Sequence, residues 1–149
     1  MQFEPIGEVI NAVFQKKDEG WGSDISEIVL GEKYQKGLTG LADFSHIIVV
    51  FWLNEAHFDL EKHLLRRPQG RSELPLCGIF AQRAKDRPNP IGITAVKLLG
   101  VSGNVITVQG LDAVNGTPVL DIKPYFPQYD CRTDAKTADW TAVIMENYF

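Results

Sequence analysis

Apolar and polar residues alternate along most of this 149-residue chain in short runs set off by glycine and proline. That spacing belongs to strands rather than to long helices. Phe3 to Phe14 carries Ile6, Val9, Ile10, Val13 and Phe14 and is bent by Gly7. Ile25 to Leu30 is a short alternating run. His46 to Leu53 is a continuous β-branched and aromatic run, which predicts a strand buried on both faces. Gly92 to Val101 and Val105 to Leu111 flank Ser102-Gly103-Asn104, a compact hairpin signal. Asn115-Gly116 is a tight-turn pair that predicts a second hairpin, leading from Leu111 into a strand Val119 to Lys123 closed by Pro124. Helical pattern is scarce. Glu32 to Leu41 is interrupted by two glycines and holds at most a turn of helix, and His57 to Leu65 is ambiguous. Asp139 is placed to cap a helix from Trp140 to Tyr148, with Val143, Ile144 and Phe149 spaced to pack down. Short strands at regular intervals predict a mainly β protein, an all-β barrel or sandwich, in one domain over residues 1–149.

Composition narrows the possibilities. A hydrophobic content of 44% supplies a core at this length. No apolar run is long enough for a membrane-spanning helix. Met1 to Pro5 lacks the basic-then-apolar pattern of a secretory signal, so a cytoplasmic protein is expected. Cys77 and Cys131 make neither a disulfide framework nor a zinc site and are expected as reduced thiols; no metal is expected. The net charge of -4 argues against a generic nucleic-acid coat. The stretch from Lys62 to Arg87 runs the other way: Lys62, Arg66, Arg67, Arg71, Arg83, Lys85 and Arg87 are opposed only by Glu73 and Asp86. Such a local patch attracts phosphate even on an acidic protein.

The segment Gly78 to Gly92 carries the most chemical information. It opens apolar, as a buried strand would, and places Arg83 and Arg87 four residues apart ahead of Pro88-Asn89-Pro90. Each proline locks φ and lacks an N–H, and Arg87 and Asn89, standing before prolines, are pushed out of the α region. A stiff cationic loop of this kind suits an anionic ligand. Familiar nucleotide and hydrolase motifs are absent: no Walker loop, no Gly-x-Gly-x-x-Gly after a strand, no Gly-x-Ser-x-Gly. His57 and His63 lack metal-motif spacing, and His46 opens an apolar strand as a structural histidine would. What remains is a set of polar residues at strand ends, where barrel ligands collect: Asn54 and Glu55, Arg83 and Arg87, Asp112, then Asp121, Lys123 and Tyr125. Asp121 and Lys123 share a strand face and are expected to pair if that face is inward.

At these residues the chain strongly resembles the TrmO-like family, also called YaeB-like or TsaA-like, of S-adenosylmethionine-dependent methyltransferases. The likeness covers Pro5-Ile6-Gly7, Gly40-Leu41-Ala42-Asp43-Phe44-Ser45-His46-Ile47, Gly78 to Gly92, Leu111-Asp112, and Gly116 through Tyr125. The resemblance implies a β-barrel with short peripheral helices and a C-terminal helix, usually a homodimer, that binds S-adenosylmethionine without a Rossmann sheet. It implies a cofactor site of Asn54, Glu55, Arg83, Ile93, Gln109, Gly110, Leu111 and Asp112, covered by a loop near Gly20 to Ser23. Arg87, Asn89, Lys123 and Tyr125 are the implied substrate contacts.

Arg83, Asp112 and Asp121 are the catalytic candidates. An acceptor nitrogen must shed a proton, and either aspartate could take it, with His46 as a third. The implied reaction is N6-methylation of threonylcarbamoyladenosine in tRNA or of a related RNA base. Gln82, Ala84 and Lys85 stand where the family usually has Thr, Ser and Pro, and Asn115 opens a turn that the family opens with Asp. The tRNA enzyme continues into an additional C-terminal domain beyond the position of Phe149, so this sequence resembles a short form. A cofactor-binding module, or a methyltransferase acting on a small molecule, are the alternatives.

Overall fold

The computed structural model describes residues 2–149. The alternating runs become strands β1 (Gly7–Ile10), β2 (Ile25–Leu30), β3 (His46–Trp52), β4 (Leu65–Arg66), β5 (Cys77–Gly78), β6 (Ile91–Ser102), β7 (Val105–Gln109) and β8 (Pro118–Pro124). Three short helices join them: α1 (Leu60–His63), α2 (Pro127–Asp130) and α3 (Trp140–Met145). Six strands close into an antiparallel barrel in the order β1-β2-β7-β6-β3-β8, while β4 and β5 pair separately.

Period-two alternation sends one row of each strand inward. Val9, Ile28, Ile47, Val49, Val96, Ile106, Val108 and Val119 are essentially fully buried and form one core with Phe51 and Leu111. Closure depends on two irregularities. β6 pairs with β3 through its first half and β7 through its second, with a register shift between Leu98 and Gly100. β8 divides itself between β3 and β1 with a shift opposite Val50 and Phe51. Bulges of this kind bend a strand and increase its twist, which lets one strand serve two neighbours at a barrel corner.

The Ser102-Gly103-Asn104 hairpin forms as its turn chemistry predicts, with Gly103 at φ 60°. Several expectations are corrected. β3 is fully buried on one face only: Ile48 and Val50 are half-buried and Trp52 is 44% exposed. Its continuous apolar run therefore reports an uncovered outer face. The Asn115-Gly116 turn forms, with Gly116 at φ 80°, but makes no hairpin. It docks on β1 and the residues after it, Gly116 N–H donating to the Val9 carbonyl and Asn115 N–H to that of Val13. Turn chemistry states that the chain reverses, not which strand it meets. The apolar opening of the Gly78 segment is not a long strand either. β5 ends at Gly78, Ile79–Ala81 is a 3-10 turn, and Phe80 is 77% exposed. Asp139 makes no side-chain cap on α3 because its own backbone is helical. Ile144 is half-buried as expected, but Val143 and Phe149 are largely exposed, and Trp140 and Tyr148 are half-covered instead.

Gly92 faces into the barrel where a Cβ would lie 2.3 Å from Phe51 Cε2. Gly92→Ala therefore overpacks a core ring and is expected to lower stability by about 1–3 kcal/mol, read as a lower urea midpoint at unchanged slope.

Candidate functional site

The end of the barrel where β3 stops and β6 begins opens into a cavity of about 940 Å³. That lies toward the upper end of the range of roughly 300–1,000 Å³ typical of small-molecule sites. Phe51, Leu53, Trp21, Ile91 and Ile144 supply apolar walls, and Arg83, Arg87, Asn89, Thr94, Asp112 and Tyr148 supply polar groups.

The loop carrying Arg83 and Arg87 is held rigidly. Gln82, only 7% exposed, donates from Nε2 to the carbonyls of Arg66 and Cys77 at 2.8 and 2.9 Å. Its amide thus fastens the loop to the β4–β5 ribbon. Asp86 joins the same loop to the segment before α1: it accepts from His57 N–H at 3.1 Å and from Lys85 Nζ at 2.7 Å, with Arg66 Nη1 at 3.6 Å. Burial of Asp86 works to raise its pKa. The Lys85 ammonium, the His57 N–H and the nearby His63 outweigh it and hold the carboxyl below its ordinary value.

These contacts change the meaning of the basic segment. Lys62 pairs with Asp59, Arg71 with Glu73, and Arg66 and Lys85 with Asp86. Arg67 donates to the Leu74 carbonyl. Among the described residues, Arg83 and Arg87 stand in no ion pair. Arg83 Nη2 donates to the Ile93 carbonyl and Arg87 Nη1 to that of Gln82. Both guanidiniums keep donors for a ligand, since each has five.

Asp112 lies just beyond β7. Thr94 on β6 donates its hydroxyl to Oδ1, and Tyr148 donates its phenol to Oδ2 at 2.6 Å. Burial pushes the Tyr148 phenol well above its ordinary pKa, and the adjacent Asp112 charge pushes it further. Tyr148 is held from behind by the Gly20–Ser23 loop: Gly20 N–H donates to the Asn147 carbonyl and Trp21 N–H to that of Tyr148. Trp21 itself is 3% exposed, bonds the Lys17 carbonyl, and lies 4.8 Å beneath the Lys17 ammonium.

Asn54, Glu55, Arg83, Arg87, Asn89, Ile93 and Asp112 thus meet at one cavity, with Glu55 paired to Lys16 at 3.0 Å. Gln109, Gly110 and Leu111 do not line it. Gln109 Nε2 donates to the Gly22 carbonyl and Gly110 N–H to that of Asp24, while Leu111 is core. Their contacts position the Gly20–Ser23 loop. Asp121 and Lys123 do pair, at 2.6 Å, but on the half-exposed outer side of β8. That partner raises the Lys123 pKa. Tyr125 packs edge-on to His46 at 6.4 Å, also away from the cavity.

Two cavity residues, Thr94 and Tyr148, escape sequence reasoning, whereas Trp21 sits in the Gly20–Ser23 loop expected to cover the site. Thr94 left a signal, a polar residue on the inward row between Gly92 and Val96. Tyr148 left none, because its contacts join segments distant in sequence. Among the described residues no acidic, histidine or cysteine group could hold a metal, and no helix is long and apolar enough to cross a membrane.

Residues 16–131 match the family model of the tRNA-methyltransferase O N-terminal domain. A chain named S-adenosyl-L-methionine-binding protein from Archaeoglobus fulgidus is 38% identical over 136 residues, covering 88% of this chain and 94% of that protein. The human tRNA (adenine(37)-N6)-methyltransferase is 40% identical over 96 residues, 64% of this chain and 21% of that one. The crystal structure of TrmO from Pseudomonas aeruginosa superposes with a TM-score of 0.74 at 28% identity, covering 93% of this chain and 62% of that one. The chain therefore spans less than two thirds of that solved relative.

The depressed Asp86 carboxyl makes a pH prediction. Its stabilisation is fully present above the ordinary carboxyl value of 3.8 and is lost as pH falls through the lower folded value. Asp86→Ala is expected to cost about 1–3 kcal/mol at neutral pH. In urea melts, the gap between wild type and variant should close on the acid side.

Proposed function

Because the chain belongs to the tRNA-methyltransferase O N-terminal domain family, we propose that it is an S-adenosylmethionine-dependent methyltransferase whose donor occupies the cavity between Arg83 and Asp112. The observation that carries this reading is the presence of opposite charges in one partly apolar cavity, neither joined to a protein counter-ion among the described residues. A zwitterionic ligand with an apolar, aromatic body satisfies both. Arg83 would take the carboxylate, for which a planar fork is suited. Asp112 would face the amine and sulfonium, and Phe51, Leu53, Trp21 and Ile91 would pack the adenine and exclude water. The bound donor supplies a methyl group already activated on a positively charged sulfur.

The chain's part is alignment, a contribution that reaches roughly 7–11 kcal/mol at ideal geometry. Of the two aspartates that could take a proton from an acceptor nitrogen, Asp112 lines the cavity. Asp121 lies off the cavity beside Lys123. We propose threonylcarbamoyladenosine in tRNA, methylated at N6, as the acceptor. The human relative's name and the open guanidinium of Arg87 beside Asn89 support this. The names of the archaeal relatives favour a second reading, a binding module without transfer. A metabolite acceptor is the third.

We also propose a cytoplasmic homodimer formed through the outer face of β3 and β6. Ile48, Val50 and Trp52 of β3 make an apolar strip there beside Ala95, Ile93 and Ile91 of β6, which also border the cavity, with Trp52, Ile91 and Ile93 at 41–50% exposure. Trp52→Asp, which lies outside the cavity lining, is expected to convert a dimer to monomers in sedimentation; a wild type that sediments as a monomer rejects it.

Arg83→Ala and Asp112→Asn are each expected to weaken S-adenosylmethionine binding by about tenfold or more in calorimetry, the scale of a charged hydrogen bond. Methyl-labelled donor incubated with tRNA carrying the modified adenosine should label that base. A protein that binds the donor but labels no RNA leaves the binding-module or metabolite reading, and one that binds no donor removes all three.

A further inference from the structure

Asp112 is held unlike Glu55 and Asp86, two of the other carboxylates of the cavity. Glu55 and Asp86 are neutralised by cations, whereas Asp112 receives two neutral hydroxyls, Thr94 on Oδ1 and Tyr148 on Oδ2. An ionised carboxylate has about four acceptor positions. One donor on each oxygen fixes the plane of the group and leaves an acceptor position free on each. A cationic partner would have fixed the plane as well, but it would also have cancelled the charge.

Both donors are committed. Thr94 is 7% exposed on the inward row of β6, where a hydroxyl needs a protein partner. Tyr148 is a half-buried phenol whose pKa is raised by burial and by the Asp112 charge, so it acts as a donor throughout the physiological range. Its backbone is strapped to the loop before β2 through Gly20 and Trp21. The strap is tight: a Cβ on Gly22 would lie 2.5 Å from the Phe149 carbonyl carbon.

We infer that Tyr148 and Thr94 are positioning residues that aim the full negative charge of Asp112 at the cationic part of the ligand, and that the segment Trp140–Phe149 thereby sets the specificity of the site. This rests on the function proposed above. The physical gain is preorganisation. The carboxylate is oriented before the ligand arrives, so binding does not have to order it. Tyr148 touches no reacting atom in this account; it acts through Asp112.

The test compares two ligands on the intact chain. S-adenosylmethionine carries the sulfonium and the amino-acid tail. 5′-Methylthioadenosine keeps the adenine, ribose and sulfur but has neither. In calorimetry, Tyr148→Phe, which keeps the ring in the cavity wall, is expected to weaken S-adenosylmethionine about 10- to 30-fold, the scale of a lost hydrogen bond to a charged group. Affinity for methylthioadenosine should stay within about twofold, because packing is kept. Thr94→Val should show the same selective loss, and it carries the test alone if Tyr148→Phe does not give a cooperative melt.

Parallel losses for both ligands would mean that Tyr148 only builds the wall, and no loss would mean that Asp112 is aimed without it. Either overturns the inference while leaving the donor site in place. A wild-type protein that binds neither ligand overturns the proposed function itself.

Discussion

Closing six strands on themselves is the constraint from which the rest of the structure follows. A sheet of this width has two edges whose N–H and C=O groups demand partners, and closure removes both. It requires strands that serve two neighbours, which β6 and β8 do at their register shifts. It also requires an inward row small enough to meet at the axis. Gly92 makes room for Phe51, and Val, Ile and Leu fill most of the rest. The price is an end that side chains do not fill. There the chain leaves β3, enters β6 and leaves β7, and the connecting loops must rise around an opening.

Electrostatics then decides what that opening can hold. Most of the basic residues from Lys62 to Arg87 are used internally, Lys62, Arg71 and Lys85 in local pairs and Arg66 in a link from β4 to the loop before Pro88-Asn89-Pro90. Asp86 is the hub of that link, gathering Lys85, Arg66 and the His57 amide. Exposed pairs of this kind are worth little individually, but the less exposed contacts of Asp86 and Gln82 fix a loop that would otherwise move. What is left over is chemically selective: two guanidiniums and the Asp112 carboxylate without counter-ions among the described residues, in one cavity. A site built this way distinguishes ligands by the separation of their charges as well as by shape.

The segment that follows β8 completes the enclosure. Its helix is too short to be stable alone, and its contacts with the barrel come through Trp140, Ile144 and Tyr148 on one side and the Gly20–Ser23 loop on the other. Two elements far apart in sequence thus hold each other over the cavity.

Much of this was legible from local order. Short apolar runs, alternating or (for β3) continuous, located β2, β3, β6, β7 and β8 closely, glycine and its neighbours located the turns at Gly103 and Gly116, and the motif residues Arg83, Arg87, Asn89 and Asp112 pointed to the region that became the cavity. These features depend on near neighbours along the chain: side-chain period, allowed φ, and the stiffness of proline. The partners of each strand, the outward placement of Asp121 and Lys123, the consumption of the basic charges, and the arrival of Tyr148 at Asp112 were settled only by closure in three dimensions. A hydrogen bond between residues 36 apart has no local signature, because its energy exists only once the barrel has brought the two ends together.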